Sequence, residues 1–186
     1  MLFQIVSLLL EVAASVLGGA CLLRLYMQHQ RIPMSASSGN PLGRFVFVLT
    51  DWIVLPLRRI IPSAGRWDLA SLIAAWLIKL AQFSLLWAFQ GMAFSYVGVL
   101  ILALFGVLRL AVSGLTVLVI IYAVLSWVQA RSALADLLDR LVIPALAPIR
   151  RYMPLVGGVD LSPLVLLVLL QIISIVLGHF ERSAFY

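Results

Sequence analysis

Pro56-Leu57-Arg58-Arg59-Ile60-Ile61-Pro62, followed by Gly65 and Asp68-Leu69, is the stretch on which the fold turns. The arrangement returns as Pro148-Ile149-Arg150-Arg151-Tyr152-Met153-Pro154, followed by Gly157 and Asp160-Leu161. A shift of 92 residues lays one on the other without a gap, and 8 of the 18 positions between 55–72 and 147–164 are identical. A match at fixed offset marks an internal repeat. The chain reads as two copies of one unit, 1–96 and 97–186, each built around a P-x-R-R-x-x-P-x-x-G-x-x-D-L signature.

Composition says where such units live. Of the 186 residues, 64% are apolar and 11% charged, with a mean hydropathy of +1.15. A soluble domain is near half apolar and a quarter charged, so this chain lacks the polar residues to cover a water-facing surface. Runs of about 20 apolar residues supply the alternative, a bundle of helices in a bilayer. The net charge of +6 is nearly all arginine and is better matched to anionic lipid headgroups than to nucleic acid. The single cysteine, Cys21, permits no intrachain disulfide. The N-terminus has no basic leader and carries Glu11 in its apolar run, so the first span is expected to be retained.

Working outward from the signatures gives four spans, at about 2–26, 69–89, 110–128 and 161–177. Before each signature lies a shorter segment with one apolar face. In the first copy Leu42, Phe45, Val46, Leu49, Trp52 and Ile53 recur at helical spacing after Asn40-Pro41. In the second, Leu134, Leu137, Leu138, Leu141 and Val142 do so. Both are too short to cross the bilayer and are expected to lie in its interface as amphipathic helices. Pro56 is expected to end or kink the first of them, and Pro144 and Pro148 to end the second. Residues 94–128 form one apolar stretch, split near Arg109 so that 110–128 spans and the part before it lies in the interface or extends the helix. The fold class is an all-α membrane protein with four transmembrane helices in two tandem parallel repeats.

Lysine and arginine collect on one side. Arg31, Arg44, Arg58, Arg59 and Arg66 flank one signature, and Arg131, Arg140, Arg150 and Arg151 the other. The positive-inside rule puts both signature loops in the cytoplasm and both termini outside.

With its two P-x-R-R-x-x-P stretches, the chain resembles the YggT (YlmG-like) family of bacterial membrane proteins, over nearly its whole length. Ser132-Ala133 replaces Asn40-Pro41 in the second copy, a departure from the shared pattern. The resemblance implies a multi-pass protein of the bacterial inner membrane with four spans and no settled biochemical activity. Roles suggested for relatives are envelope or osmotic physiology, a connection to cell division, and assembly of photosynthetic membrane complexes in plastids.

The candidate site residues follow from chemistry. Arg58, Arg59, Arg150 and Arg151 could form a cytoplasmic site for lipid phosphate or for a partner's acidic segment. The competing reading is a topology anchor, with one arginine of each pair held by Asp68 or Asp160 and the other at the headgroups. Adjacent helical residues point about 100° apart, so one phosphate could be gripped by both only if the prolines keep the segment irregular. Asp68 and Asp160 stand just before spans and read as helix caps rather than proton carriers. Glu11 and Lys79 are expected at similar depth as an intramembrane ion pair. His29 and His179 fall at opposite membrane faces. No C-x-x-C-H or H-E-x-x-H spacing occurs, so neither metal nor cofactor is expected. Gly98, Gly106 and Gly114 suit helix packing, and the five tryptophans interfacial belts.

These features point to a non-enzymatic assembly or scaffold factor for membrane or envelope complexes, acting through its arginine loops. Its partners would be the bilayer, anionic headgroups, and other membrane proteins or further copies of itself. The alternative is a small ion or solute transporter or channel component, with Lys79, Gln82, Gln171 and Ser174 lining a polar track.

Overall fold

The computed structural model describes residues 1–34, 40, 42–61, 67–90, 96–128, 132–152 and 160–183. The described residues form six helices: α1 (Leu2–His29), α2 (Gly43–Ile60), α3 (Leu69–Gln90), α4 (Tyr96–Val128), α5 (Ala133–Tyr152) and α6 (Ser162–Ser183). Four of them, α1, α3, α4 and α6, are long and apolar enough to cross a membrane. The protein is therefore an all-helical, multi-pass membrane protein. Pro62, Gly65, Arg66, Pro154 and Gly157, on which part of each signature rests, lie outside the described residues.

Several boundaries differ from the sequence reading. α4 is a single helix of 33 residues, so 94–109 is not a separate interfacial segment from Tyr96 onward. No proline, glycine pair or cap breaks the apolar run at Arg109, and helix propagates where nothing interrupts it. α2 continues through Pro56, and α5 through Pro144 and Pro148. Each proline forfeits one backbone bond, but all three lie on exposed faces, where headgroups or water can take the freed carbonyls. The arginine pairs consequently occupy the last turns of α2 and α5 rather than irregular loops.

α1 ends in a Schellman turn. Arg31 adopts a left-handed φ of 56°, its N–H reaches the Gln28 carbonyl at 3.0 Å, and the Ile32 N–H reaches Met27 at 2.9 Å. Ile32 and Met27 then join one apolar cluster, the contact that accompanies this motif.

The same three packings occur in each half: α1 on α3, α1 on α2 and α2 on α3, then α4 on α6, α4 on α5 and α5 on α6. In the first half Cys21 of α1 shares a cluster with Val54 of α2 and Ala70, Ala74 and Ala75 of α3. Small side chains let these backbones approach, which is how membrane helices gain dispersion energy without a hydrophobic driving force. In the second half, larger residues do the filling: Leu137, Leu141, Val142 and Leu146 of α5 against Val119 of α4 and Leu166 and Leu170 of α6. The halves join where α3 and α1 meet α4, at Gly18 and Gly106. Tyr26 adds a polar tie, its hydroxyl donating to the Leu141 carbonyl at 2.7 Å.

Candidate functional site: two arginine-aspartate nodes

The last turn of α2 and the start of α3 meet through charge. Arg58 Nε donates to Asp68 Oδ1 at 3.3 Å, and Arg58 Nη2 donates to Asp68 Oδ2 and to Gln28 Oε1, the latter at 2.9 Å. Ser71 Oγ donates to the same carboxylate at 2.6 Å, and the Asp68 carbonyl accepts the N–H groups of Ser71 and Leu72. Asp68 thus sits at the helix start, fully buried. Burial works to raise its carboxyl pKa, but the bonds from Arg58 and Ser71 and the Arg58 charge outweigh it and hold the group below its ordinary 3.8.

The second half repeats the node with different neighbours. Arg150 Nε lies 2.9 Å and Nη2 2.7 Å from Asp160 Oδ2, and Nη2 donates to the Tyr122 hydroxyl at 2.8 Å. Asp160 Oδ1 accepts the Ser162 N–H at 2.9 Å, closing the first turn of α6. The Asp160 carboxyl is also held low. Partial burial opposes the shift, and the Ser162 bonds and Arg150 drive it. Arg150 is pushed up despite its partial burial, by Asp160 and Tyr122. Gln28 and Tyr122 therefore fill one role in the two halves, each accepting from the guanidinium that grips the aspartate.

Helical geometry splits each pair. Arg58 and Arg150 turn inward to the carboxylates, and Arg59 and Arg151 project into the open. No single phosphate is gripped by both members of a pair, since the segment is regular helix and its neighbours point about 100° apart.

One residue escaped the sequence reading. Arg24, which falls inside the span placed at about 2–26, is 2% exposed. Its Nη1 donates to Thr50 at 2.7 Å and to Asp51 at 2.6 Å, its Nε lies 4.0 Å from Asp68 Oδ2, and its guanidinium stacks 4.8 Å from the Phe47 ring centroid. The hint was present in the sequence. Arg24 has apolar residues on both sides, and a charge so placed needs a partner. At the 92-residue offset Val142 and Ile143 replace Thr50 and Asp51, so α5 carries no such acceptors at those positions.

Glu11 and Lys79 make no ion pair within 4 Å. The Lys79 ammonium instead donates to Gln82 Oε1, one turn along α3, at 2.9 Å. Glu11 is exposed and Lys79 buried. Arg109 pairs with Glu181 at 3.2 Å. His29 stacks on Trp67 with ring centroids 4.5 Å apart. No group of three or more His, Cys, Asp or Glu suited to a metal occurs among the described residues.

Comparison with known proteins agrees with this framework. A model of the CCB3/YggT family matches residues 3–89 and 101–180. The chain is 37% identical over 160 residues to an "Uncharacterized protein in proC 3'region" of Vibrio alginolyticus, covering 84% of each. It is 36% identical over 160 residues to "Uncharacterized protein YggT" of Escherichia coli K12, covering 82% of this chain and 78% of that one. "Uncharacterized protein PA0392" of Pseudomonas aeruginosa is 34% identical over 139 residues, 73% of this chain and 71% of its own. No solved structure matches. The arginine nodes and four apolar helices described here are those of a chain that belongs to the CCB3/YggT family.

Proposed function

We propose that the protein is a non-enzymatic assembly or scaffold factor of the bacterial inner membrane, acting through the two arginine-bearing ends of α2 and α5 on its cytoplasmic face. One observation carries the reading. In each half one arginine is bound by an aspartate at the start of the following span, and its neighbour, Arg59 or Arg151, is left exposed. The internal pair fixes the helix end; the outward guanidinium is then a preorganised point of contact for an anionic headgroup or a partner's carboxylates. The tandem repeat doubles this contact on one face, and the arginine asymmetry of the loops favours the cytoplasm for that face.

Replacing the outward arginines tests this without touching the nodes. Arg59→Ala with Arg151→Ala should leave protein level and membrane insertion unchanged and remove the membrane proteins that co-purify with the wild type in mild detergent. An unchanged set of co-purifying proteins and retained anionic lipids would overturn it. The transport alternative draws on the buried Lys79–Gln82 pair. It is weakened by Gln171, which lies exposed on α6 rather than facing that pair, so a polar track would need further copies of the chain.

A further inference from the structure

The junction between the halves exists once in the chain, although the chain carries its components twice. At that junction α3 lies along the part of α4 remote from the arginine nodes. A Cβ on Gly106 would meet the Phe83 ring at 2.9 Å and Lys79 Cδ at 3.5 Å, and Trp87 meets Tyr96 with centroids 5.6 Å apart. Val99, Leu102 and Ala103 of α4 are 6%, 6% and 0% exposed there.

The repeat locates the counterparts. The signatures relate α3 to α6 by 92 residues, so Lys79 and Phe83 correspond to Gln171 and Ile175. Gln28 and Tyr122 accept the same guanidinium bond in their respective halves and relate α1 to α4 by 94. Val99, Leu102, Ala103 and Gly106 then correspond to Ile5, Leu8, Leu9 and Val12. These four are 54%, 60%, 62% and 53% exposed, and Ile175 is 61% exposed. Within the chain α1 and α6 make no packing comparable to that of α3 on α4. Both halves of a second junction are therefore present and uncovered.

Lipid alone covers them poorly. Gln171 puts an amide among exposed Leu169, Ile172 and Ile173, and Glu11 puts an exposed carboxylate beside Val12. Polar groups within spans face protein because hydrocarbon offers them no partner. Laying α6 on α1 as α3 lies on α4 brings Gln171 against Val12, one residue from Glu11 and one turn from Ser15.

We propose that α6 of one copy packs on the α1 surface of a second copy, in the arrangement of the α3–α4 junction but with Val12 and Ile175 where Gly106 and Phe83 meet, so that the two helices sit farther apart. The two surfaces differ, so the association is head-to-tail and builds a ring or an open row rather than a two-fold dimer. It requires nothing of the arginine loops, and stands or falls apart from the scaffold reading.

Disulfide trapping in native membranes tests it. Two differently tagged copies, one Val12→Cys and one Ile175→Cys, both in a Cys21→Ala background, are co-expressed and oxidised with copper phenanthroline. A membrane-permeant maleimide confirms that both thiols are reactive. The mixed-tag product should exceed either same-mutant product several-fold, and Val12→Cys with Ile175→Cys in one chain should give a ladder of oligomers. Reactive thiols with no mixed product would overturn the proposal. So would same-mutant products as abundant as the mixed one, since they signify a symmetric contact through other faces.

Discussion

The two nodes share a chemistry but not an environment, and neutralising each carboxylate should separate them. Asp68 is fully buried beneath Arg58 and Ser71, with Arg24 at 4.0 Å, whereas the Asp160 side chain is 30% exposed. Asp68→Asn leaves two guanidinium groups facing a neutral amide, one of them fully buried. Breaking a buried pair in this way costs about 3–5 kcal/mol. Asp160→Asn removes a bond that water partly replaces, at about 1–2 kcal/mol. For a chain of this size about 1 kcal/mol moves the midpoint by roughly 2–4 °C, so Asp68→Asn should melt roughly 5–10 °C below Asp160→Asn. Thermal unfolding in a mild detergent, followed by intrinsic fluorescence, reads the difference. The double variant Arg58→Met with Asp68→Leu leaves Arg24 balanced by Asp51, and should recover more than half of the loss. Equal losses in the two halves, or additive losses in the double variant, would refute the argument that burial sets the strength of the node.

Four further outcomes follow from the same geometry. Both carboxyls are depressed below 3.8 in the fold, so their stabilisation is complete above about pH 4 and is lost as pH falls through the lower folded values; acid melting curves should flatten in Asp68→Asn. A Cβ at Gly43 would lie 2.6 Å from the Met34 carbonyl oxygen, but at Gly18 it meets only the tip of Leu110, so Gly43→Ala should cost about 1–3 kcal/mol and Gly18→Ala much less, by the same melting assay. Glu11→Gln and Lys79→Gln should combine with a coupling below about 0.5 kcal/mol in a double-mutant cycle, and a larger value would restore a direct pair. Single cysteines at Ser37 and Ser132, in a Cys21→Ser background, should resist an impermeant thiol reagent in intact cells and one at Ser183 should react; the reverse pattern would invert the orientation.

The four spans were legible because the signal for them is coarse. An apolar run of span length survives errors of several residues, and the four long apolar helices fall where those runs lie. Boundaries were less legible. Pro144 and Pro148 looked like helix ends, and Pro56 like an end or a kink, because their cost is local and visible, while the exposed faces that tolerate them are set by packing. Arg24 was passed over for a related reason. A lone arginine near a span end is indistinguishable in sequence from a headgroup anchor, and only the approach of Thr50 and Asp51 on α2 makes it a buried centre. Glu11 and Lys79 make no ion pair because Glu11 turns outward and Lys79 inward, and a run that is apolar all round does not show which face it presents to a neighbour.

The length of α4 sets a mechanical relation between the protein and its bilayer. Its 33 residues extend about 50 Å against a hydrocarbon core of about 30 Å, while α3, with 22, nearly matches that core. A helix so oversized is accommodated by tilt or by local thickening of the lipid around it. A change in membrane thickness, from altered acyl chains or from tension, would reorient α4 far more than α3. The strain would gather where the two are pinned, at Gly106 beneath Lys79 and Phe83, and at the Arg109–Glu181 tie to α6. The longest helix of this fold is therefore the one whose tilt depends most on the thickness of the surrounding membrane.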